Sequence, residues 1–269
     1  MNNNTGNFFE LTTKQIYFFD LDGTIYLGNK LFKGVPELIE LLKKQEKKFF
    51  FLSNNSSKST EDYLKKLNKF NLGINRDNLI LSQHPTIEFL KKNNYKKIFL
   101  LGTQSLKIEF KNEGFELTEE EPEILVLAFD QELTYNRLVK AAYILQEKDF
   151  PYIATHLDNR CPTEMGYIPD AGGIAALLYK ATERMPKVFG KPNKEMLLFK
   201  LDQLGISPKN AVMFGDRLYT DIKMGKEAGV STCGILSGEA TIEMIKASEY
   251  KPDFILNGIW ELLDEFNKK

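Results

Sequence analysis

Acidic side chains follow two apolar runs of this 269-residue chain, at the positions where buried strands would end. Asp20 and Asp22 come after the run 16–19, and Asp216 ends the run 210–215. Two carboxylates at positions i and i+2 at a strand end point to the same side, and each is ionised at neutral pH unless its surroundings oppose it. Two negative charges this close need a cation, so the sequence indicates a cation site here.

Other polar side chains occupy similar places. Ser53 and Asn54 follow the apolar run 49–52, Lys191 lies in a Gly-Lys-Pro-Asn loop, and Asp221 stands five residues after Asp216. Each has an ordinary explanation, such as helix capping or a favourable acid at a helix N-terminus. In open α/β sheets, however, ligands bind outside the carboxyl ends of the strands. Acids, a lysine and a hydroxyl that converge there predict a site for a hard divalent cation and a phosphoryl group.

The pair Asp22-Gly23 has a second interpretation. Asp-Gly flanked by apolar residues is the strongest short signal for a β-hairpin. The run 16–19 is apolar at every position rather than alternating, which suits a strand of a parallel sheet covered on both faces. We therefore expect a buried parallel strand, with the hairpin as the alternative.

Short apolar runs alternate with amphipathic helical segments along the chain, the pattern of βα units that feed a parallel sheet. We predict a doubly wound, Rossmann-like α/β core with a large inserted α/β cap domain. In this prediction residues 1–84 and 187–269 form the core and residues 85–186 form the insertion, because about a hundred residues with their own strands can bury a core. The strands predicted for the insertion are 98–101, 124–129 and 152–155.

Charge and composition exclude several classes of protein. The 36 basic and 37 acidic residues are interspersed and give a net charge of −1, so no overall field favours nucleic acid or an anionic membrane. No apolar run approaches the roughly 18 residues that span a bilayer, and residues 1–7 lack the apolar centre of a signal peptide. Cys161 and Cys233 are far apart and lack metal-ligand spacing, which fits a reducing compartment. We expect a cytoplasmic protein.

Taken in order, the four polar motifs resemble those of the haloacid dehalogenase superfamily of phosphohydrolases. The predicted insertion lies between the Ser53 and Lys191 motifs, as in the branch that holds the p-nitrophenyl, phosphoglycolate and pyridoxal phosphatases and the phosphatase of the bacterial N-acetylglucosamine operon. The likeness begins near Lys14 and includes Leu27, the Ser-Asn-Asn turn and the stretch Cys-Pro-x-x-x-Gly that ends at Gly166. It implies a Mg²⁺-dependent phosphatase of small phosphomonoesters, with no nucleic-acid or membrane partner and a possible homodimer.

The resemblance assigns the chemistry mainly to the first motif. Asp20 would be the nucleophile that forms an aspartyl-phosphate, and Asp22 would protonate the leaving oxygen and later activate water. The Asp20 carboxylate, the Asp22 backbone carbonyl and Asp216 would hold Mg²⁺.

The remaining motifs would bind the phosphoryl group. The resemblance implies that the Ser53 side chain and the Asn54 backbone N–H hold phosphate oxygens, and that Lys191 sits between phosphate and Asp20. Asp221 would steady Lys191 or a metal-bound water. A carboxylate that attacks a dianionic phosphate is repelled without such positive charges, so metal and lysine are needed for binding as well as chemistry.

His156 departs from the family pattern, because relatives more usually carry Asn at this point. It opens the loop 157–169, which the resemblance would place over the active site. We therefore expect His156 to contact the substrate and to affect leaving-group specificity. We expect His84, beside Pro85 at a predicted domain joint, to be structural.

Two other functions use similar residues. A phosphotransferase or mutase would pass the same phosphoryl group to a second substrate in place of water. A signalling receiver domain also surrounds a phospho-accepting Asp with acids, a hydroxyl and a lysine, but it would be a single short domain with its nucleophile on a later strand than its acid pair. Asp-Leu-Asp-Gly-Thr on the first strand, together with a long insertion, favours the phosphatase.

Overall fold

The computed structural model describes residues 8–163 and 165–268, which form two compact units. The first unit takes the described residues of Met1–Ser53, Leu64–Ile80 and Lys191–Lys269, and the second takes Asn54–Tyr63 and Leu81–Gly190. The segment 1–7, for which the sequence predicts no signal peptide, lies outside the described residues.

Six strands form the sheet of the first unit. The central strand Ile16–Asp20 lies between Ala211–Gly215 and Lys48–Ser53 and pairs in parallel with both. The outer strands are Ser231–Ile235 and Phe254–Leu256 on one side and Leu79–Leu81 on the other. Every residue of the central strand is buried, as expected for a strand covered on both faces. The predicted parallel α/β core is confirmed.

Helices cover this sheet and supply its apolar core. Val35–Lys44 has Pro36 in its first turn and buries Leu38, Ile39 and Leu42, so its apolar stripe faces inward. The other helices of the unit are Phe9–Thr13, Glu195–Leu204, Lys223–Glu227, Ile242–Ala247 and Trp260–Asn267, together with most of Thr60–Asn68.

A hairpin is present close to Asp22, although not at the Asp-Gly pair. Tyr26–Leu27 pairs antiparallel with Lys30–Leu31, and Gly28 in the turn between them has a φ of 59°. Glycine adopts this left-handed conformation without steric cost. The hairpin therefore follows the buried strand instead of replacing it.

The second unit has a five-stranded parallel sheet of its own. In spatial order its strands are Lys187–Val188, Tyr152–Ala154, Ile124–Leu127, Lys97–Leu101 and Glu116–Leu117. Its helices are Gln83–Lys92, Gln104–Asn112, Tyr135–Leu145 and Ala171–Thr182. Part of the segment 157–169, predicted as a loop, is an antiparallel hairpin of Arg160–Thr163 and Gly166–Pro169.

Three segments assigned to the core by the sequence belong to the second unit: Asn54–Tyr63, 81–84 and 187–190, of which the first is the longest. Hydrogen bonds explain the place of this first segment. The Ser57 carbonyl accepts from Thr103 Oγ1 over 2.9 Å, and the Thr60 N–H donates to Glu109 Oε2 over 3.0 Å. Glu109 therefore satisfies an otherwise partnerless amide at the start of a helix. This polar segment depends on the inserted sequence for its hydrogen bonds.

Among the described residues, no helix combines the length and the apolar content that crossing a membrane requires. The expected compartment and the possible homodimer stay predictions.

Candidate active site

Three neighbouring strands of the first unit carry predicted site residues at their carboxyl ends. Asp20 ends the central strand, Ser53 ends its neighbour on one side, and Asp216 directly follows its neighbour on the other side. All three residues are buried. Because these strands are parallel, their carboxyl ends lie at the same edge of the sheet, where ligands bind in this class of fold.

Lys191 links two of the acids. Its ammonium group donates to Asp20 Oδ1 and, over 2.8 Å, to Asp221 Oδ1. Burial alone would lower the pKa of Lys191, but the Asp20 and Asp221 carboxylates raise it above its usual value. The geometry therefore holds a positive charge beside Asp20.

The Asp20 carboxyl group lies in a cluster with a net negative charge. Burial raises its pKa well above the usual value, Lys191 acts in the opposite direction, and Asp221 and Asp216 raise it further. One carboxylate oxygen from each of Asp20, Asp216 and Asp221 lies within 4.8 Å of the others. Three carboxylates against one ammonium group leave negative charge that a divalent cation would balance.

One carboxylate oxygen of Asp216 has no hydrogen-bond partner among the described residues. The Oδ2 atom accepts from the Glu239 N–H over 2.7 Å, whereas the partnerless oxygen, Oδ1, is buried. Burial, followed by the nearby Asp221 charge, raises the pKa of Asp216 to about 6. A buried oxygen of this kind normally has a partner, and a bound cation would provide one.

These donors fit Mg²⁺, which takes oxygen ligands and usually keeps several waters. Asp20 and Asp216 would hold the ion with the Asp22 backbone carbonyl. Asp221 already accepts from Lys191 through Oδ1 and from the Arg217 N–H through Oδ2, the latter over 3.2 Å. Its geometry therefore suits support of Lys191 better than metal ligation.

Two glycines fit closely around Asp216. A Cβ atom at Gly23 would lie 2.7 Å from Asp216 Cγ, and one at Gly238 would lie 2.6 Å from Asp216 Cβ. Gly23 also has a φ of 91°, which strains other residues. A side chain at either position would displace the carboxylate.

Asp22 is held by the hairpin that follows it. The Tyr26 hydroxyl donates to Asp22 Oδ2 over 3.1 Å, and Lys66 Nζ lies 3.7 Å from the centre of the Tyr26 ring. Asp22 is exposed, yet its neighbours exclude enough water to raise the pKa of its carboxyl, with Lys66 and Tyr26 acting in the opposite direction. A carboxyl with a raised pKa is better able to carry the proton that a general acid must donate.

Two predicted site residues, Asn54 and His156, belong to the second unit. The Asn54 side-chain amide donates to Asp158 Oδ1 over 3.0 Å. His156 is fully buried; its Nε2 lies 2.9 Å from Asp170 Oδ1 and its Nδ1 lies 3.1 Å from Thr155 Oγ1. The phosphate contact of the Asn54 N–H and the substrate contact of His156 stay predictions, and both ring nitrogens of His156 already have partners in the protein.

Comparison with known proteins identifies the family of this chain. A family model described as haloacid dehalogenase-like hydrolase matches residues 17–116, and one described as HAD-hydrolase-like matches residues 188–262. The chloroplastic phosphoglycolate phosphatase 1A of Arabidopsis thaliana is 30% identical over 281 residues, covering 93% of this chain and 76% of that protein. The chain belongs to the haloacid dehalogenase-like hydrolases.

Solved structures of such hydrolases share the whole fold. The 4-nitrophenylphosphatase of Thermotoga maritima is 39% identical, with a TM-score of 0.90 over 98% of this chain and 99% of that one. The p-nitrophenyl phosphatase of Archaeoglobus fulgidus is 31% identical, with a TM-score of 0.86 over 93% and 98% of the two chains. The predicted resemblance is confirmed, and membership of this hydrolase family removes the receiver domain from consideration.

Sequence reasoning missed three residues at this haloacid dehalogenase-like site. Gly238 and Glu239 pack against or bind Asp216, and Tyr26 binds Asp22. The first two follow the strand Ser231–Ile235 in a Ser-Gly-Glu turn, so they lie after the same end of a sheet strand as the predicted acids. That position was the available signal; for Tyr26 the sequence offered only its closeness to Asp22.

Proposed function

We propose that the protein is a Mg²⁺-dependent phosphatase of small phosphomonoesters that works through a phosphorylated Asp20. One observation carries the proposal: Lys191 bridges Asp20 and Asp221 next to the partnerless Oδ1 of Asp216. This arrangement combines a nucleophile, a fixed cation and a metal ligand at one sheet edge. The names of the relatives, 4-nitrophenylphosphatase and phosphoglycolate phosphatase, support small esters as substrates.

In the first step, a carboxylate oxygen of Asp20 attacks phosphorus and the bond from phosphorus to the leaving oxygen breaks. Asp22 gives its proton to that oxygen as it departs. Lys191, the Ser53 side chain and the Asn54 N–H hold the non-bridging oxygens. When bound, Mg²⁺ supplies positive charge that offsets the repulsion between the two anions.

In the second step, Asp22 takes a proton from water, and the hydroxide oxygen attacks phosphorus of the aspartyl-phosphate. The bond from phosphorus to the Asp20 oxygen breaks, which releases inorganic phosphate and restores the carboxylate. Tyr26 keeps Asp22 in place through both proton transfers by its hydrogen bond to Oδ2. Lys191 enters the reaction protonated, because the Asp20 and Asp221 carboxylates raise its pKa.

The proposal is tested by measuring phosphate release from p-nitrophenyl phosphate, phosphoglycolate, sugar phosphates and alkyl phosphates, with Mg²⁺ and after treatment with EDTA. We expect Mg²⁺-dependent turnover and, after a rapid acid quench, ³²P bound to the protein through an acid-stable, base-labile acyl linkage. Hydrolysis at an equal rate in EDTA, or label on a residue other than Asp20, would contradict the mechanism. The phosphotransferase alternative predicts phosphate transfer to added alcohols or sugars in preference to water, which the same assay detects as product phosphate ester.

A further inference from the structure

The strand end at Thr155 and His156 binds the polar turn that follows Ser53. We call residues 53–57 the phosphate turn. Within it, Ser56 is fully buried, and its Oγ lies 2.9 Å from Thr155 Oγ1 and 3.4 Å from His156 Nδ1. Ser56 Oγ also accepts from the Phe129 N–H over 3.0 Å, so its own proton is available for the Thr155 and His156 side. The middle of the phosphate turn is thus held by hydrogen bonds within the second unit, to which Ser56 belongs.

The same strand end lies against Gly190, the residue before Lys191. The chain passes between the two units at four bonds, and two of them join Ser53 to Asn54 and Gly190 to Lys191. The Gly190 N–H donates to the Thr155 carbonyl over 2.6 Å, and a Cβ atom at Gly190 would lie 2.6 Å from Asn54 Oδ1. The residue after Ser53 and the residue before Lys191 are therefore packed together.

His156 also closes the base of the segment 157–169. Asp170, at the far end of that segment, accepts through Oδ1 from the Ala171 N–H over 2.6 Å and lies 2.9 Å from His156 Nε2. Because the Asp170 carboxylate accepts, Nε2 carries a proton, and Nδ1 faces the hydroxyl groups of Thr155 and Ser56. Through Nε2 the ring binds Asp170, so that the two ends of the segment 157–169 are joined. Through Nδ1 it faces Ser56 of the phosphate turn.

We infer that His156 is a positioning residue that holds the phosphate turn, and the neighbouring Gly190, against the closed base of the segment 157–169. The ring is fully buried and uses both nitrogens within the protein, which leaves it no atom to present to a leaving group. In catalysis its effect passes through the Asn54 N–H, so this part of the inference rests on the proposed function. It predicts one common effect on all substrates, in contrast to the change in substrate ranking that a direct contact would cause.

Two substitutions separate the two sides of the ring. The amide of Asn in His156→Asn reaches the place of Nδ1 and can keep the bond to the phosphate turn, while it loses Asp170. The longer side chain in His156→Gln reaches the place of Nε2 and keeps Asp170, while it loses the turn. His156→Leu removes both bonds, and Ser56→Ala removes the turn's own hydroxyl without changing the ring.

We expect His156→Gln, His156→Leu and Ser56→Ala to raise KM for acetyl phosphate and the inhibition constant for inorganic phosphate by the same factor, about 3- to 10-fold, the range that one hydrogen bond contributes. His156→Asn should stay within about 2-fold of the wild type. Arg184→Met is the control, because Arg184 donates to the Glu147 and Phe150 carbonyls elsewhere in the second unit and should lower the melting temperature without changing either constant.

Hydrogen–deuterium exchange of the phosphate turn decides the inference without any enzyme assay. Exchange in the phosphate turn should be faster in the His156→Gln and His156→Leu variants than in the His156→Asn variant. If the wild type released no phosphate in the enzyme assay, that result would refute the proposed function and leave this inference standing. An unchanged acetyl phosphate KM together with an altered ranking of larger esters would overturn the inference in favour of direct contact. An equal effect of Arg184→Met would overturn it in favour of general destabilisation.

Discussion

Asp216 in the first unit and Asp170 in the second are both buried aspartates that accept a backbone N–H, from Glu239 and from Ala171 respectively. They differ in what else they bind. Asp170 starts a twelve-residue helix and pairs with His156, whereas Asp216 keeps a buried oxygen for which the described residues provide no partner. A carboxylate whose oxygens are hydrogen-bonded within the protein supports the fold, whereas a buried carboxylate oxygen without a partner can bind a ligand. Under the proposed function, Asp170 serves to position neighbouring groups, whereas Asp216 serves chemistry.

The largest loss of turnover should come from substituting the proposed nucleophile in the first unit. Asp20→Asn should lower turnover by about 10⁴-fold or more, because an amide does not attack phosphorus. The fold should be kept, since the two side chains have the same shape. Steady-state phosphate release measures the loss, and Asp202→Asn, on an exposed face of the helix Glu195–Leu204, is the matched control. Substantial remaining turnover would mean that Asp20 is not the nucleophile.

Asp22→Asn should have an effect that depends on the leaving group. Alkyl phosphates need a proton on the departing oxygen and should lose about 10²-fold or more, whereas nitrophenolate leaves without one and should lose less. Comparing kcat for a glycerol phosphate and p-nitrophenyl phosphate measures the difference. Equal losses on both substrates would remove Asp22 from the role of general acid.

When metal is removed, Asp216→Asn should increase the free energy of unfolding, whereas most substitutions decrease it. The folded-state pKa of Asp216 is raised to about 6, so the stability linked to its protonated form is present below its unfolded pKa and is lost as pH rises through 6. In EDTA, the variant should therefore be more stable than the wild type at pH 7.5 by about 1–3 kcal/mol, and the gap should shrink toward pH 4.

Denaturant unfolding at the two pH values measures this gap. Added Mg²⁺ should then stabilise the wild type and have little effect on the variant, because metal binding to the folded state adds to its stability. A gap that does not change with pH would show that Asp216 does not carry the titration. Equal stabilisation of both proteins by Mg²⁺ would remove Asp216 from the metal ligands.

The smallest effect on the kinetic constants should come from substituting a residue of the second unit that packs against Asn54. Gly190→Ala adds a methyl group that would lie 2.6 Å from both Asn54 Oδ1 and the Thr155 carbonyl, so these neighbours must shift. We expect a rise of about 3- to 10-fold in KM for p-nitrophenyl phosphate with a smaller change in kcat, from the weakening of about one hydrogen bond. Gly173→Ala, whose nearest new contact is 3.3 Å, is the control. A loss confined to kcat would indicate that Lys191, rather than phosphate binding, is disturbed.

The sequence predicts the strand-end acids because one rule places them: parallel strands end at one edge, and polar residues after apolar runs mark those ends. Asp20, Ser53 and Asp216 follow that rule. Tyr26 does not, and Gly238 follows a strand end but has no side chain that would mark it; both roles depend on how a hairpin and a turn pack against the acids. His156 shows the same limit, since a sequence position beside a predicted loop does not reveal that the ring is buried with both nitrogens bonded.

The bond between the Thr60 N–H and Glu109 has a consequence for how this chain can be divided or recombined. The inserted sequence provides hydrogen-bond partners for a segment from which Leu64–Ile80 of the first unit separates it, so the interchangeable module is discontinuous. A chimera that exchanges only residues 85–186 would separate Thr60 from its acceptor and leave polar groups buried without partners. Exchange of Asn54–Tyr63 together with Leu81–Gly190 keeps each donor with its acceptor. The exchangeable unit of this molecule is therefore two pieces of chain that must change together.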